Sequence, residues 1–506
     1  MKTNYILTLD AGTTGVKCAA FTREGKALGS RVEAYPTYYP APGWSQQKPE
    51  EQLAASLRAI RGVTEQLTDA ECAALVFSGT MNGCIPIDHN GLALHDNIIH
   101  SDLRAEPQTE GIRRLIPLAD YYGETGNRID VHSGLPKYVW MKENAREVYD
   151  RAWKFVNIKD YLYGRLTGRI GYTDRSDASL CNCLSMHTGD WAWEILKTCG
   201  VDIDKMPALL SSYDVTAGLS AEFAAMTGLP AGLPVAVGAG DGACAAHGAR
   251  THAVGDAYVN IGSSAWVSSM SKAPVIDKEM RLFNYFDADG ESYNVCGTVQ
   301  CGSAAFNWAV ENLICPNGQK PDFDALEEMA KSVPAGAQGV FYLPTLMGER
   351  TPWWTAKVSG TLMGFTLYHD RRHVTRAAYE GVMQSLNMCG AILDENDLPV
   401  RGLTLIGGGA KSHMWGQMAA DMFGVTVKIH ATPHEATSLG AAVIAGVGIG
   451  WYNSFVEAAQ CIHYQREYQP DPEAYTAYRR HLEVFRSLYP QMAGAYATLY
   501  DYQQEQ

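Results

Sequence analysis

Two stretches in different halves of the chain share one pattern: "TLDAGTTGVK" begins at residue 8 and "VNIGSSAW" at residue 259. Each sets a strand-like apolar run against a small loop of Gly with Thr or Ser, and a second strand-like run follows. The echo suggests two similar halves facing one another. Length points the same way, because single cores stop growing at roughly 250–300 residues and this chain has 506.

The start reads as a three-stranded meander, "YILTL", "VKCAAF" and "ALGSRVEAY", with the Gly/Thr loop as its first turn and "TREGK" as its second. "KPEEQLAASLRAIRGVTEQL" then places Leu53, Leu57, Ile60 and Val63 at helical spacing behind Pro49, a residue suited to a helix start. "AALVFSG" predicts a further strand, and Asn90-Gly91 a hairpin. Near Val254 a second region begins, and Val374, Ala377, Ala378, Val382 and Leu386 mark one stripe of a later helix. Strands alternating with helices make this an α/β protein with mixed sheets. The Gln-rich end, "YQQEQ", is the one place where disorder is expected.

Bulk chemistry removes several function classes. Lys and Arg total 41 against 55 Asp and Glu, a net charge of -14 without any long basic run, so nucleic acid is a poor partner. The twelve cysteines are scattered, and Cys181 and Cys183 lack the spacing of a zinc or redox pair, which predicts reduced, packing cysteines. The apolar N-terminal run is too short for a signal peptide, and residues 439–451 fall short of the roughly 18 needed to span a membrane. A soluble cytoplasmic chain is the expectation.

Three stretches could carry chemistry. In "DAGTTG" the glycines allow close backbone approach, while N–H groups and Thr hydroxyls make a pocket for phosphate oxygens. Asp10 beside them could hold hydrated Mg²⁺; a plain polar turn is the alternative. No GxxxxGK[ST] string occurs, which excludes a P-loop enzyme. "LPVAVGAGDGACAAHG" runs a strand into Gly238, Gly240, Asp241 and Gly242. A dinucleotide fingerprint would place the Asp241 charge against a pyrophosphate, so a general base at a strand end is the better reading, with a helix N-cap as the bland one. In "LTLIGGGAKSHMWGQM" the glycines 407–409 would let a flat purine lie on bare backbone, unless they form only a tight turn.

These stretches together resemble the FGGY family of carbohydrate kinases, and within it most nearly the xylulokinase branch. The likeness runs nearly end to end, through "SGLPKYVWMKEN", "KDYLYGRLTG", "GAGDGACAAHGA", "YLPTLMGERTPWW", "GTLMGFTLYHDRRHVTRAAYEGV" and "EATSLGAA". It implies two actin-like, ribonuclease-H-like domains with mixed sheets flanked by helices and a cleft between them. The first domain, 1–250, would bind the sugar and carry the catalytic Asp; the second, 251–450, would bind ATP; and 451–506 would form helices packing back on the body. It further implies ATP-dependent phosphorylation of a sugar hydroxyl with Mg²⁺. Carried onto this sequence, Asp241 is the general base, and Asp10 with Asp241 stands on the metal side. Gly12, Thr13, Thr14 and Lys17 belong to the first phosphate loop, Gly262, Ser263 and Ser264 to the second, and Gly408, Gly409 and Ala410 to the adenosine site.

On the sugar side the pattern departs from the xylulokinase type. Met81-Asn82-Gly83 stands where Met-His-Gly is usual, and His100-Ser101-Asp102-Leu103-Arg104 where Trp-x-Asp-x-Arg is usual. Met81, Asn82, Asp102, Arg104 and Asp241 are the expected substrate contacts, with a salt bridge as the other role for Asp102 and Arg104. Trp44 in "PGWSQQKP" stands in a loop where the family often shows an aromatic or an acid, with a surface loop anchor as the other reading. A xylulose-like pentulose is the leading substrate. Ribulose, another ketose, a glycerol-like polyol, a non-catalytic sugar- or nucleotide-binding homologue and a dinucleotide-dependent oxidoreductase are the alternatives. Expected partners are the sugar and ATP, with a homodimer as the assembly to test.

Overall fold

The computed structural model describes residues 3–315 and 320–505. β1 (Thr3–Ala11), β2 (Gly15–Thr22) and β3 (Ala27–Ala34) form the antiparallel meander expected from the sequence. α1 (Pro49–Thr64) carries Pro49 in its first turn and turns Leu53, Ile60 and Val63 inward. β4 (Ala70–Gly79) pairs parallel with β1, and β6 (Pro234–Gly240) pairs parallel with β4, while the short β5 (Ala217–Gly218) closes the edge. The sheet order is β5-β6-β4-β1-β2-β3. Both faces of β1 are covered: Tyr5, Leu7 and Leu9 enter one core and Ile6 another, which explains its nearly continuous apolar run.

The second half repeats this plan. After α2 (Asp241–Gly248), β7 (Asp256–Ile261) pairs antiparallel with β8 (Ala265–Ser271), which pairs with β10 (Tyr293–Val299) inside β9 (Phe283–Phe286). α3 (Arg371–Glu395) supplies the apolar stripe. β11 (Gly402–Ile406) pairs parallel with β7, and β12 (Val427–His430) parallel with β11. α4 (His413–Phe423) lies between these last two strands in sequence, α5 (Ala436–Gly448) follows them, and β13 (Tyr464–Tyr468) closes the sheet. Its order, β9-β10-β8-β7-β11-β12-β13, contains the same three antiparallel and two parallel neighbours as the first. α6 (Pro472–Gln504) packs Tyr478 and Phe485 on the second core and runs into the Gln-rich end as far as Gln504, where helix replaces the expected disorder; Gln506 lies outside the described residues.

The halves meet through two helices. α5 of the second half lays Leu439, Val443 and Ile444 on Ile6, Ala74 and Val76 of the first sheet, and α2 lays Ala245 and Ala246 against Tyr258 and Ile406 of the second. Where they cross, a Cβ on Gly440 would sit 1.8 Å from the Cys244 carbonyl oxygen, and one on Gly248 1.9 Å from that of Ala436. Backbone meets backbone, so neither side can yield. Gly440→Val is therefore expected to lower stability by about 1–3 kcal/mol, read as a lower urea midpoint, and an unchanged midpoint would show that the crossing relaxes freely.

Candidate functional site

β1 and β7 end beside each other's counterpart loops, and this brings the two small Gly-rich turns together. In the first, the Gly12 N–H donates to the Gly15 carbonyl at 3.0 Å; in the second, the Gly262 N–H donates to that of Ser264 at 3.0 Å. Gly12, Thr13, Gly262, Ser263 and Ser264 line one cavity of about 440 Å³, together with Asp241, Met81 and Asn82. Residues far apart in sequence thus face a single space from both halves.

Asp241 opens α2 at the end of β6, and the N-cap position belongs to Gly240, whose N–H donates to Ser176 Oγ at 3.0 Å. The carboxylate is thereby left to the cavity. Burial, with Asp10 adding to it, pushes Asp241 up to about 7, against the pull of the Gly242 N–H. Gly238, the supposed start of a dinucleotide fingerprint, has φ 78° and a Cβ there would lie 1.8 Å from the Phe77 carbonyl oxygen. Its bareness serves strand packing rather than a pyrophosphate.

Asp10 accepts a hydrogen bond from Ser78 Oγ at 2.8 Å. Burial raises its pKa, Ser78 and Lys17 oppose that, and Glu435 reinforces it. Asp241 lines the cavity, and Asp10, which does not, lies close enough behind it to raise the Asp241 pKa. No group of three or more metal-type side chains occurs among the described residues.

Other expected contacts stand apart from the cavity. Lys17 pairs with Glu435 Oε2 at 3.1 Å and donates to the His434 carbonyl, tying β2 to the start of α5. Thr14 is exposed in the first turn and its carbonyl accepts the Tyr35 N–H at 3.4 Å. Gly408, Gly409 and Ala410 form a turn at the end of β11 beside Ile261, where Gly409 is pressed against Ile261 and Trp415 and Gly408 faces open space. Asp102 and Arg104 are fully buried and bond each other at 2.8 Å, and the guanidinium lies 3.9 Å from the Trp44 ring centroid.

The cavity wall around His100 contains groups that the sequence reading does not assign a role. His132, Arg350, Trp266 and Thr298 line the cavity beside His100. Arg350 sits in the quoted "MGERTPWW", where the Glu349-Arg350 pair in an otherwise uncharged string is the available signal; His132, directly before "SGLPKYVWMKEN", gives none. Lys137 of that string is fully buried and donates to the carbonyls of Asn82 and His132, the latter at 2.9 Å. Asn82 adopts φ 70°, and its buried Oδ1 has no partner among the described residues.

Residues 5–248 match the N-terminal domain of the FGGY family of carbohydrate kinases, and residues 257–449 match its C-terminal domain. The chain belongs to the FGGY family of carbohydrate kinases. The kinase is a phosphotransferase with an alcohol group as acceptor, and ATP is the family's phosphate donor. It is 29% identical over 489 residues to a xylulose kinase of Bacillus subtilis, covering 96% of each chain. To a gluconokinase of the same organism it is 28% identical over 509 residues, covering 99% of this chain and 98% of that one. The structure of ligand-bound xylulose kinase from Lactobacillus acidophilus superposes with TM-score 0.92 at 26% identity, covering 98% of this chain and all of the other. The fold is thus the two-domain, actin-like α/β arrangement. Among the described residues no helix is long and apolar enough to cross a membrane.

Proposed function

We propose that the kinase transfers the γ-phosphate of ATP to a hydroxyl of an open-chain ketose, a xylulose-like pentulose first, with Asp241 as general base. The observation that carries this reading is the single cavity in which Asp241, both Gly-rich turns and the Met81-Asn82 segment meet. A base of pKa near 7 in a site lined by backbone N–H groups is what in-line phosphoryl transfer requires, since that reaction needs positioning and charge neutralisation more than covalent help. Asp10 and Asp241 would hold Mg²⁺, which supplies charge neutralisation on the phosphates when bound. In the same reading residues 1–250 present the sugar, 251–450 the nucleotide through Gly408, Gly409 and Ala410, and 451–506 brace the second half. ATP as donor makes the cytoplasm the working compartment.

An ADP-release screen with ATP, Mg²⁺ and a panel of pentuloses, hexuloses and polyols checks this. Turnover of at least one ketose is expected. Sugar binding by calorimetry without ADP release from any sugar would instead make the chain a non-catalytic homologue.

A further inference from the structure

Asp241 stands between two glycines, and packing leaves no choice about either. A Cβ on Gly240 would lie 2.7 Å from the Met81 sulfur, and one on Gly242 2.9 Å from the Tyr285 hydroxyl oxygen. Glycine has the loosest backbone of any residue, so the close fit around the carboxylate takes stiffness out of the chain that carries it. The strand before it is irregular as well: β6 slips in register against β4 between Ala236 and Ala239, where Gly238 takes φ 78°. α2 has no side-chain cap. Beyond its place opposite Gly79 of β4, Gly240 is held by one side-chain bond, from its N–H to Ser176 Oγ at 3.0 Å.

Ser176 is itself held by charge. It lies fully buried in the short helix Arg175–Ser179. Its hydroxyl donates to Asp174 Oδ2 at 2.5 Å, which turns the oxygen's lone pairs toward the Gly240 N–H. The same Oδ2 accepts the Ser176 N–H at 3.0 Å and the Ser212 hydroxyl at 2.7 Å. Oδ1 faces Lys159 Nζ at 3.0 Å, and that ammonium also meets Asp160 Oδ1 at 2.5 Å and Asp177 Oδ2 at 3.8 Å, all four side chains being buried. Burial opposes the Lys159 charge, but the three carboxylates outweigh it and raise its pKa. Burial also lifts Asp177 well above the usual carboxylate range, which relieves the excess of acid. Apolar side chains of the same volume would stabilise this core at least as well. What the charges supply is direction: a fixed acceptor for one hydroxyl, polarised by the ammonium behind it.

We infer that Ser176, oriented by Asp174 and Lys159, is a positioning residue for Asp241, holding the start of α2 so that the carboxylate meets the acceptor hydroxyl. None of the three lines the cavity, and each acts through the Gly240 N–H. The inference rests on the general-base role of Asp241 proposed above. A base displaced by about 1 Å loses on the order of 10²-fold in rate, whereas the Gly-rich turns and the Met81-Asn82 segment, carried on other parts of the chain, keep their places.

ADP release with ATP, Mg²⁺ and xylulose, or the sugar of the panel that the wild type uses best, is measured on the full chain for Ser176→Ala, Asp241→Asn and the double variant, beside urea midpoints. Asp174 keeps Lys159, Ser212 and a backbone donor in Ser176→Ala, so that variant is expected to fold. Its kcat should fall by about 10–100-fold, while KM for ATP and sugar stays within about threefold of wild type. In the Asp241→Asn background the same substitution should change kcat by less than about twofold, because a base that is absent cannot be misplaced. Equal fold losses in both backgrounds, a KM rise that accounts for the loss, or a lowered midpoint with kcat intact would each overturn the positioning role. Ser176→Ala at wild-type kcat beside a crippled Asp241→Asn overturns it too, and leaves the general base standing. Full turnover in Asp241→Asn removes the base, and the positioning role with it.

Discussion

Asp241→Asn is expected to lower kcat by about 10²–10⁴-fold, the usual contribution of a positioned general base, while ATP and sugar still bind. Asn keeps the shape at the start of α2 and the Gly240 N–H bond to Ser176, so the loss isolates the proton acceptor. Wild-type kcat/KM should fall with decreasing pH below about 7, as the base takes up its proton, and the variant should lack that limb. Stability should move the other way. Burial raises the Asp241 pKa above its unfolded value, so the folded state holds this proton where the unfolded chain has lost it, and stability falls as pH rises from about 4 to 7. Asn carries no charge to bury, so the variant is expected to melt no lower than the wild type at pH 8. A variant that retains full turnover and the same pH profile would remove Asp241 from the proton-transfer step.

Much of this architecture was legible because local patterns and tertiary needs agree. β1, the meander and α1 follow from apolar runs, turn residues and Pro49, and the repeated strand-loop-strand foreshadowed two sheets of one topology. The two small loops were visible for the same reason: a Gly-rich turn between strands is a local signature. What local patterns could not show is where insertions carry single polar residues. His132 and Arg350 reach the cavity from segments more than two hundred residues apart, and neither has a periodic or turn signature. That Arg350 makes no ion pair among the described residues, its backbone alone bonding Glu349, is a tertiary fact. Lys17 adds a second tertiary fact: its string gives no hint of the Glu435 that the fold brings within 3.1 Å of it from the other half.

Arg104→Met is expected to cost about 3–5 kcal/mol of stability, the range for breaking a buried ion pair by removing one partner. Asp102 and Arg104 side chains have no exposure, and the guanidinium Nε bonds both Asp102 oxygens at 2.9 Å while Nη2 reaches Gln46 Oε1 at 2.8 Å. Stripped of that partner, the Asp102 charge would retain only backbone donors, from Ser45 and residue 104 itself. The planar group also packs beside the edge-to-face pair Trp44 and Trp140, 3.9 and 5.1 Å from their ring centroids, so its loss uncovers both indoles. Arg104→Lys keeps a charge but neither the fork nor the stack, and should fall between wild type and Met. Because the pair lies behind the cavity wall rather than in it, the sugar KM of the folded Met variant should stay within about threefold of wild type. Urea midpoints and steady-state kinetics separate the two roles. A tenfold rise in KM with an unmoved midpoint would make Asp102 and Arg104 sugar contacts, whereas a lowered midpoint with KM intact makes them the clamp that holds residues 99–104, and with them His100, against the cavity.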